Sequence, residues 1–418
     1  MTKASWLAAI EALPESIAQN PTLSRLGRHC TLELRWVVGD DHFYLSFQSG
    51  VLVSVERGVR RLRRWQLSIE ASLAAWEAFW SPRPAPGYQD LFALVSAGHP
   101  RLGGDIGPLL ANLRFVKEVL QLPGERTSVP GPEDGAEEPI VGRYLRLSVA
   151  GERYRIYYES AGEGIPLLCL HTAGSHSSQY RHLMCDRRVT ERFRVIAFDL
   201  PWHGKSDPPV DWQSTSYVLT SEFYESLVLS VVDTLNLQQP VIMGCSMGGR
   251  LVVKLALAHG ERLRAVIGLE GSDHPSPWYD DSWLEREEFL RGDFCAALVS
   301  GLMAPQSPSQ SRWETLWHYC QSGPEVFKGD MNFYRTDSEY RAAPGESVSA
   351  ACPVYLMTGE YDYSCTPELT VETAERIPGA KAIVMQELGH FPMSENPELF
   401  YDYLAPVLGE IDSAADRG

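Results

Sequence analysis

The stretch Pro240-Val241-Ile242-Met243-Gly244-Cys245-Ser246-Met247-Gly248-Gly249, continued by RLVVKLALAHG to residue 260, decides how this chain is read. PVIM is a short apolar run of strand type, and RLVVKLALAHG repeats its apolar residues at helical spacing. Gly244 to Gly249 must therefore turn the chain from strand to helix. A serine on that turn is exposed at the carboxyl edge of a sheet and close to a helix N-terminus, where negative charge is favoured. Glycines on both sides are required because the turn brings backbones too close for side chains. A bare G-x-S-x-G arises by chance in glycine-rich chains; the flanking strand and helix make this one informative.

Outward from the serine, apolar runs alternate with helical stretches, the pattern of a mainly parallel sheet covered on both faces. YLRLSVA, RYRIYYES, PLLCLHT, RVIAFDL, PVIMGCS, AVIGLEG, PVYLMTG and KAIVMQE predict eight strands, the first two close enough to form a hairpin. Between the sixth and seventh, Asp273 to Cys352 carries Trp278, Trp283, Trp313 and Trp317. This insertion reads as a helical cap. Its aromatics are either cap core or the lining of a site for a fairly large apolar or aromatic small molecule.

A serine hydroxyl is a poor nucleophile and needs a base, itself oriented by a carboxylate. In LMTGEYDYSCTPE, Asp362 follows the strand PVYLM; in MQELGHFPMSENPE, His390 follows AIVMQ. Both lie in loops at strand ends, where the functional groups of an open α/β sheet gather. Glu360 is the rival acid on reach alone, and His171, His176 and His203 are rival bases.

These three elements, in the order Ser, Asp, His, resemble the α/β-hydrolase superfamily over about residues 140–410. The resemblance implies an eight-stranded mainly parallel α/β-hydrolase sheet with a helical cap, and a catalytic triad of Ser246, Asp362 and His390. The G-E-x-D pattern of related hydrolases favours Asp362 over Glu360. The resemblance also implies an oxyanion hole of backbone N–H groups from Met247 and Ala173. Ala173 is chosen by position in His171-Thr172-Ala173-Gly174-Ser175, which resembles the family's H-G-x-x loop with Thr172 replacing a glycine. FDLPWHGKSDPP, 198–209, resembles the turn after the family's fourth strand.

Serine at the turn argues against the haloalkane dehalogenase and epoxide hydrolase branches of the family it resembles, which use an aspartate there. No H-E-x-x-H zinc spacing or G-x-x-x-x-G-K-S phosphate loop occurs, so neither metal nor cofactor is expected. The expected reaction is hydrolysis of a carboxylic ester or lactone through an acyl-enzyme on Ser246. The alternatives are hydrolysis of a carbon–carbon bond in ring-cleavage diketones, whose enzymes resemble this chain in their S-M-G-G turn but usually carry G-P-G-A in the oxyanion loop; a cofactor-free haloperoxidase; and an acyltransferase.

At 418 residues the chain is long enough for a second module. LPGERTSVPGPEDGAEEP, 122–139, has linker composition. Before it, residues 1–121 predict a small α+β domain. TLELRWVV, HFYLSF, VLVSVE and WQLSIE are expected to form an antiparallel sheet, and ASLAAWEAFW, YQDLFALVSAG and DIGPLLANLRFVKEVL to form helices on one face. Phe47-Gln48-Ser49-Gly50-Val51, Ala97-Gly98 and Gly104-Asp105 carry a resemblance to the sterol-carrier-protein-2-like (SCP2-like) fold over roughly 24–121. That resemblance implies either a lipid-like ligand bound by this domain or a scaffold for a homo-oligomer. The full division is 1–121, linker 122–139, hydrolase core 140–272 and 353–418, and cap 273–352.

A net charge of −17 argues against a nucleic-acid partner. The basic run Arg57 to Arg64 reads as a solvated face. No run approaches the ~20 apolar residues of a membrane span, and the N-terminus has the pattern of an amphipathic helix, not of a secretory signal. The eight cysteines include no C-x-x-C pair and several lie in strand-like runs, so reduced thiols in a cytoplasm are expected.

Overall fold

The structure is a computed structural model that describes residues 3–60, 62–124, 138–275, 292–323, 325–341 and 348–415. The chain forms two compact units, residues 1–128 with 297–301, and residues 129–296 with 302–418. Most of the expected linker, 125–137, and the cap tryptophans Trp278 and Trp283 lie outside the described residues.

In the first unit the helices Lys3–Glu11 and Leu13–Ala18 bury Trp6, Leu7, Ile10, Leu13 and Ile17, residues three and four apart. β1 (Leu32–Val38), β2 (Asp41–Gln48), β3 (Val51–Arg57), β4 (Leu67–Ala71) and β5 (Arg101–Gly104) form one sheet in the order β3-β2-β1-β4-β5. The expected all-antiparallel sheet is corrected at one pair: β4 runs parallel to β1, Trp36 opposite Ile69. Parallel pairing needs the chain to return to the end of the sheet where β1 begins, and the stretch between β3 and β4 makes that return. β5, a four-residue strand with two glycines, gave no apolar signal.

Trp36, Trp76 and Trp80 fill this unit's core with ring centroids 5.4–6.0 Å apart. Trp76 and Trp80 donate Nε1–H to Val37 O and Leu120 O, each at 2.9 Å, so these two indoles are buried without losing a hydrogen bond, whereas the buried Nε1–H of Trp36 has no partner among the described residues. In the basic run, Arg57 pairs with Asp41 and Glu11, and Arg63 with Glu33. These arginines are committed to neighbouring carboxylates.

The second unit is built on β6 (Val141–Val149), β7 (Glu152–Ala161), β8 (Ile165–Leu170), β9 (Phe193–Phe198), β10 (Val241–Cys245), β11 (Ala265–Leu269), β12 (Val354–Gly359) and β13 (Lys381–Met385). Their order is β13-β12-β11-β10-β8-β9-β7-β6, and only β7 runs antiparallel to its neighbours. The eight predicted strands are therefore all present. β10 and β11 are buried at every position, as strands covered on both faces must be. Helices Ser221–Thr234, Met247–His259 (the elbow helix), Pro367–Arg376 and Pro397–Ala415 accompany the sheet.

Between β11 and β12 lie the helices Gly292–Val299, Ser309–Cys320 and Val326–Thr336. Trp313 and Trp317 are 47% and 61% exposed, so neither is a core residue. Among the described residues, no helix is long and apolar enough to cross a membrane.

Candidate active site

β10 ends at Cys245 and the elbow helix begins at Met247, leaving Ser246 alone to make the turn. It does so at φ 58° and ψ −113°, a conformation that costs a non-glycine residue about 1–3 kcal/mol. Its N–H donates to Leu269 O at 2.9 Å, tying the turn to β11. A Cβ at Gly244 would stand 2.3 Å from Gly248 O, and one at Gly248 2.8 Å from Leu170 O. Only hydrogen fits at either position, which is why glycines flank the serine.

His390, in the loop after β13, holds its Nδ1 2.6 Å from Asp362 Oδ2, in the loop after β12. The bond fixes the tautomer: Nδ1–H donates to the carboxylate and Nε2 is left as the accepting nitrogen. Asp362 is itself anchored, its Oδ1 accepting from Ser364 N at 2.7 Å and Cys365 N at 3.1 Å. Cys245 Sγ donates to His390 O at 3.2 Å, which sets the histidine loop against the residue before Ser246. Among the described residues no hydrogen bond joins Ser246 to His390; such contacts commonly tighten only when substrate is bound. Behind the loop, buried Glu395 accepts from Gly389 N at 2.5 Å, and burial pushes its carboxyl up to about 7.

The rivals are otherwise occupied. Glu360 Oε2 accepts from Glu387 N at 3.0 Å, in the loop after β13. His171 donates from Nδ1 to Thr172 O and accepts Leu200 N on Nε2; burial, and then the neighbouring His203, hold it down to about 4. His176 Nε2 lies 2.7 Å from Gln321 Oε1. His203 bonds Pro201 O through Nδ1 and Asp330 Oδ2 through Nε2. Burial alone would lower His203, but Asp330 at 2.8 Å outweighs it and holds the imidazole above its usual value.

Thr172, the departure in the loop expected to supply an oxyanion donor, turns its hydroxyl to Gln179 Oε1 at 3.1 Å and Tyr319 Oη at 2.5 Å, while its N–H also reaches Gln179 at 3.0 Å. The next peptide N–H is that of Ala173, which is buried. Gly174 then donates to Asp330 Oδ2 at 2.7 Å. Across the site, the N–H of Met247 opens the elbow helix and has no partner within it.

Among the buried carboxylates that sequence reasoning did not single out are Glu395, Asp330 and Glu270. Asp330 occupies an apolar-face position, three residues after Phe327 and four after Val326, and receives Gly174, His203 and Tyr217, the last at 2.7 Å. A charge on the buried stripe of a helix was the available signal. Glu270 follows β11 directly at φ 51°, and both its oxygens lie 3.0 Å from Gly359 N. Its signal was a charge closing a wholly apolar strand.

Among the described residues one group offers ligand atoms within 4.8 Å of one another, Glu270, Asp362 and His390. Asp362 and His390 are already bound to each other, so the group reads as an acid–base assembly.

The sequence profile described as the alpha/beta hydrolase family matches residues 167–403. The chain is 26% identical over 292 residues to a 2-hydroxymuconate semialdehyde hydrolase of Pseudomonas putida, covering 66% of this chain and 97% of that protein. It is 25% identical over 261 residues to a pimeloyl-[acyl-carrier protein] methyl ester esterase of Nitrosospira multiformis, covering 59% and 95%. Among solved structures, the enol-lactonase of Burkholderia xenovorans superposes with a TM-score of 0.51 at 18% identity, covering 63% of this chain and all of that one. The chain belongs to the alpha/beta hydrolase family and is an enzyme of that family.

Proposed function

We propose that this enzyme hydrolyses a carboxylic ester or lactone of a fairly large apolar or aromatic substrate through an acyl-enzyme on Ser246. One observation carries the reading: a serine held at φ 58° on the strand-to-helix turn, beside a histidine whose Nδ1 lies 2.6 Å from a doubly anchored aspartate. Ser246 Oγ attacks the carbonyl carbon while His390 Nε2 takes its proton. Asp362 stabilises the imidazolium. The N–H groups of Met247 and Ala173 receive the developing oxyanion. His390 returns its proton to the leaving alcohol, and water, activated by the same histidine, releases the acid.

The carbon–carbon reading is second, favoured by the identity to the semialdehyde hydrolase and by the S-M-G-G turn. Against it stands His171-Thr172-Ala173-Gly174 in place of the G-P-G-A stretch.

The proposed division is an accessory domain 1–121, a linker 122–139, a hydrolase core 140–272 with 353–418, and a cap 273–352. The N-terminal unit, five strands with helices, is in keeping with an SCP2-like fold. Its tightly packed tryptophans favour a scaffold, with homo-oligomer assembly as its role, over a lipid carrier. Eight free cysteines, six of them buried, support a cytoplasmic setting.

The test is turnover of p-nitrophenyl esters of rising chain length, an aromatic lactone and a ring-cleavage diketone by wild type and Ser246→Ala. Ester or lactone turnover lost in the variant supports the first reading. Diketone turnover alone moves the assignment to carbon–carbon cleavage. Equal activity in both proteins refutes the serine assignment.

A further inference from the structure

We propose that Glu270 is a positioning residue of the triad, a neutral carboxylic acid that donates a hydrogen bond to Asp362 and so fixes the carboxylate that orients His390. The inference rests on the triad reading of Asp362 and adds a fourth member to it.

Glu270 is wholly buried, and its carboxyl oxygen, one of Asp362 and a ring nitrogen of His390 lie within 4.8 Å of one another. Two buried carboxylates at that separation cannot both stay ionised without strong repulsion, so the pair keeps one proton. Counting donors decides where it resides. Asp362 receives Ser364 N, Cys365 N and the His390 ring, whereas Glu270 receives only the Gly359 N–H, shared between its two oxygens. The anion belongs on Asp362 and the proton on Glu270.

The other groups facing Glu270 do not change that balance. They are the thiols of Cys365, from the Asp362 loop, and Cys245, from the end of β10. Burial raises both thiols, keeping them neutral, and the His390 ring is bonded to Asp362; the buried Arg250 guanidinium, which faces Cys365, donates to Tyr334 O and Ser338 Oγ. Burial first, and Asp362 second, push the Glu270 carboxyl well above the usual carboxylate range. Its left-handed backbone, φ 51°, is a strained conformation at the end of a strand, as at Ser246 on the neighbouring strand.

The closing experiment compares Glu270→Gln, Glu270→Ala and Asp362→Asn with wild type. Two readouts are taken, the infrared carboxylic-acid C=O band and the pH profile of turnover on any ester the enzyme accepts. Glu270→Gln keeps the size and a donor but cannot ionise. It should remove an acid band that wild type retains well above pH 7, where Glu395 has already titrated. It should also keep kcat within about threefold and extend the alkaline limb of the profile. Glu270→Ala should lower kcat about tenfold or more with little change in KM, because only a positioning contact is lost. Asp362→Asn should lose most activity.

Loss of activity in Glu270→Gln with survival of Asp362→Asn would make Glu270 the operative acid and overturn both this inference and the triad reading. An unchanged acid band and pH profile in Glu270→Gln, with Asp362→Asn inactive, would overturn this inference alone. Should Glu270→Gln fail to fold, the wild-type band decides: its absence well above pH 7 refutes the neutral acid.

Discussion

The elbow at 244–249 and the loop at 171–175 both border the candidate site, yet they are held in different ways. The elbow is specified by its own residues: Gly244 and Gly248 are glycine because a Cβ would collide with Gly248 O and Leu170 O, and Ser246 takes the strained turn between them. The second loop is held largely from far along the chain. Tyr319, together with nearby Gln179, holds Thr172, and Asp330 holds Gly174. A locally encoded turn is therefore damaged by changes within it, and a remotely held loop by changes that touch no substrate.

The comparison breaks most sharply at Ser246. Ser246→Ala should lower kcat/KM at least about 10⁴-fold with an unchanged fold, measured on the accepted ester alongside circular dichroism. Within the elbow, Gly244→Ala should cost about 3 kcal/mol or more, read as loss of soluble protein or a lower denaturation midpoint, because the obstructing atom is backbone and cannot yield.

At the remote end, Asp330→Ala leaves the buried donors of Gly174, Tyr217 and His203 unmatched. It should lower kcat about 10- to 100-fold and stability by about 3 kcal/mol, though no atom of Asp330 need touch substrate. Ser246→Gly should raise stability by about 1 kcal/mol while abolishing turnover, since glycine accepts φ 58° without strain.

The smallest effect is a pH dependence. His203 binds its proton more tightly in the folded chain than in the unfolded one because Asp330 outweighs burial. Its stabilisation is fully present below the unfolded value of about 6.5 and is lost as pH rises through the raised folded value. The difference in melting temperature between wild type and His203→Gln should therefore be largest near pH 6 and shrink as pH rises. A constant difference across that range would remove the ion pair from the account.

The same division explains what could be read in advance. The eight strands of the hydrolase sheet, the serine turn, and Asp362 with His390 each announce themselves within a few residues, through an apolar run followed by a chemically distinct loop. Asp330 and Glu270 do not, because their meaning lies in partners distant in sequence, as Gly174 and Asp362 show. The parallel pairing of β4 with β1 was hidden for a related reason: strand direction depends on the route of the connection, which apolar alternation does not record. Thr172 was legible as a departure from the family loop, but its effect waited on Tyr319, 147 positions later.

The most direct test of the central claim is covalent labelling. Wild type and Ser246→Ala are incubated with a fluorophosphonate, which phosphonylates an activated serine, and adducts are located by peptide mass spectrometry. The account predicts one adduct, on the peptide containing Ser246, and none in the variant. A folded wild type that turns over esters yet carries no adduct, or carries it on another residue, would contradict the claim that Ser246 is the nucleophile.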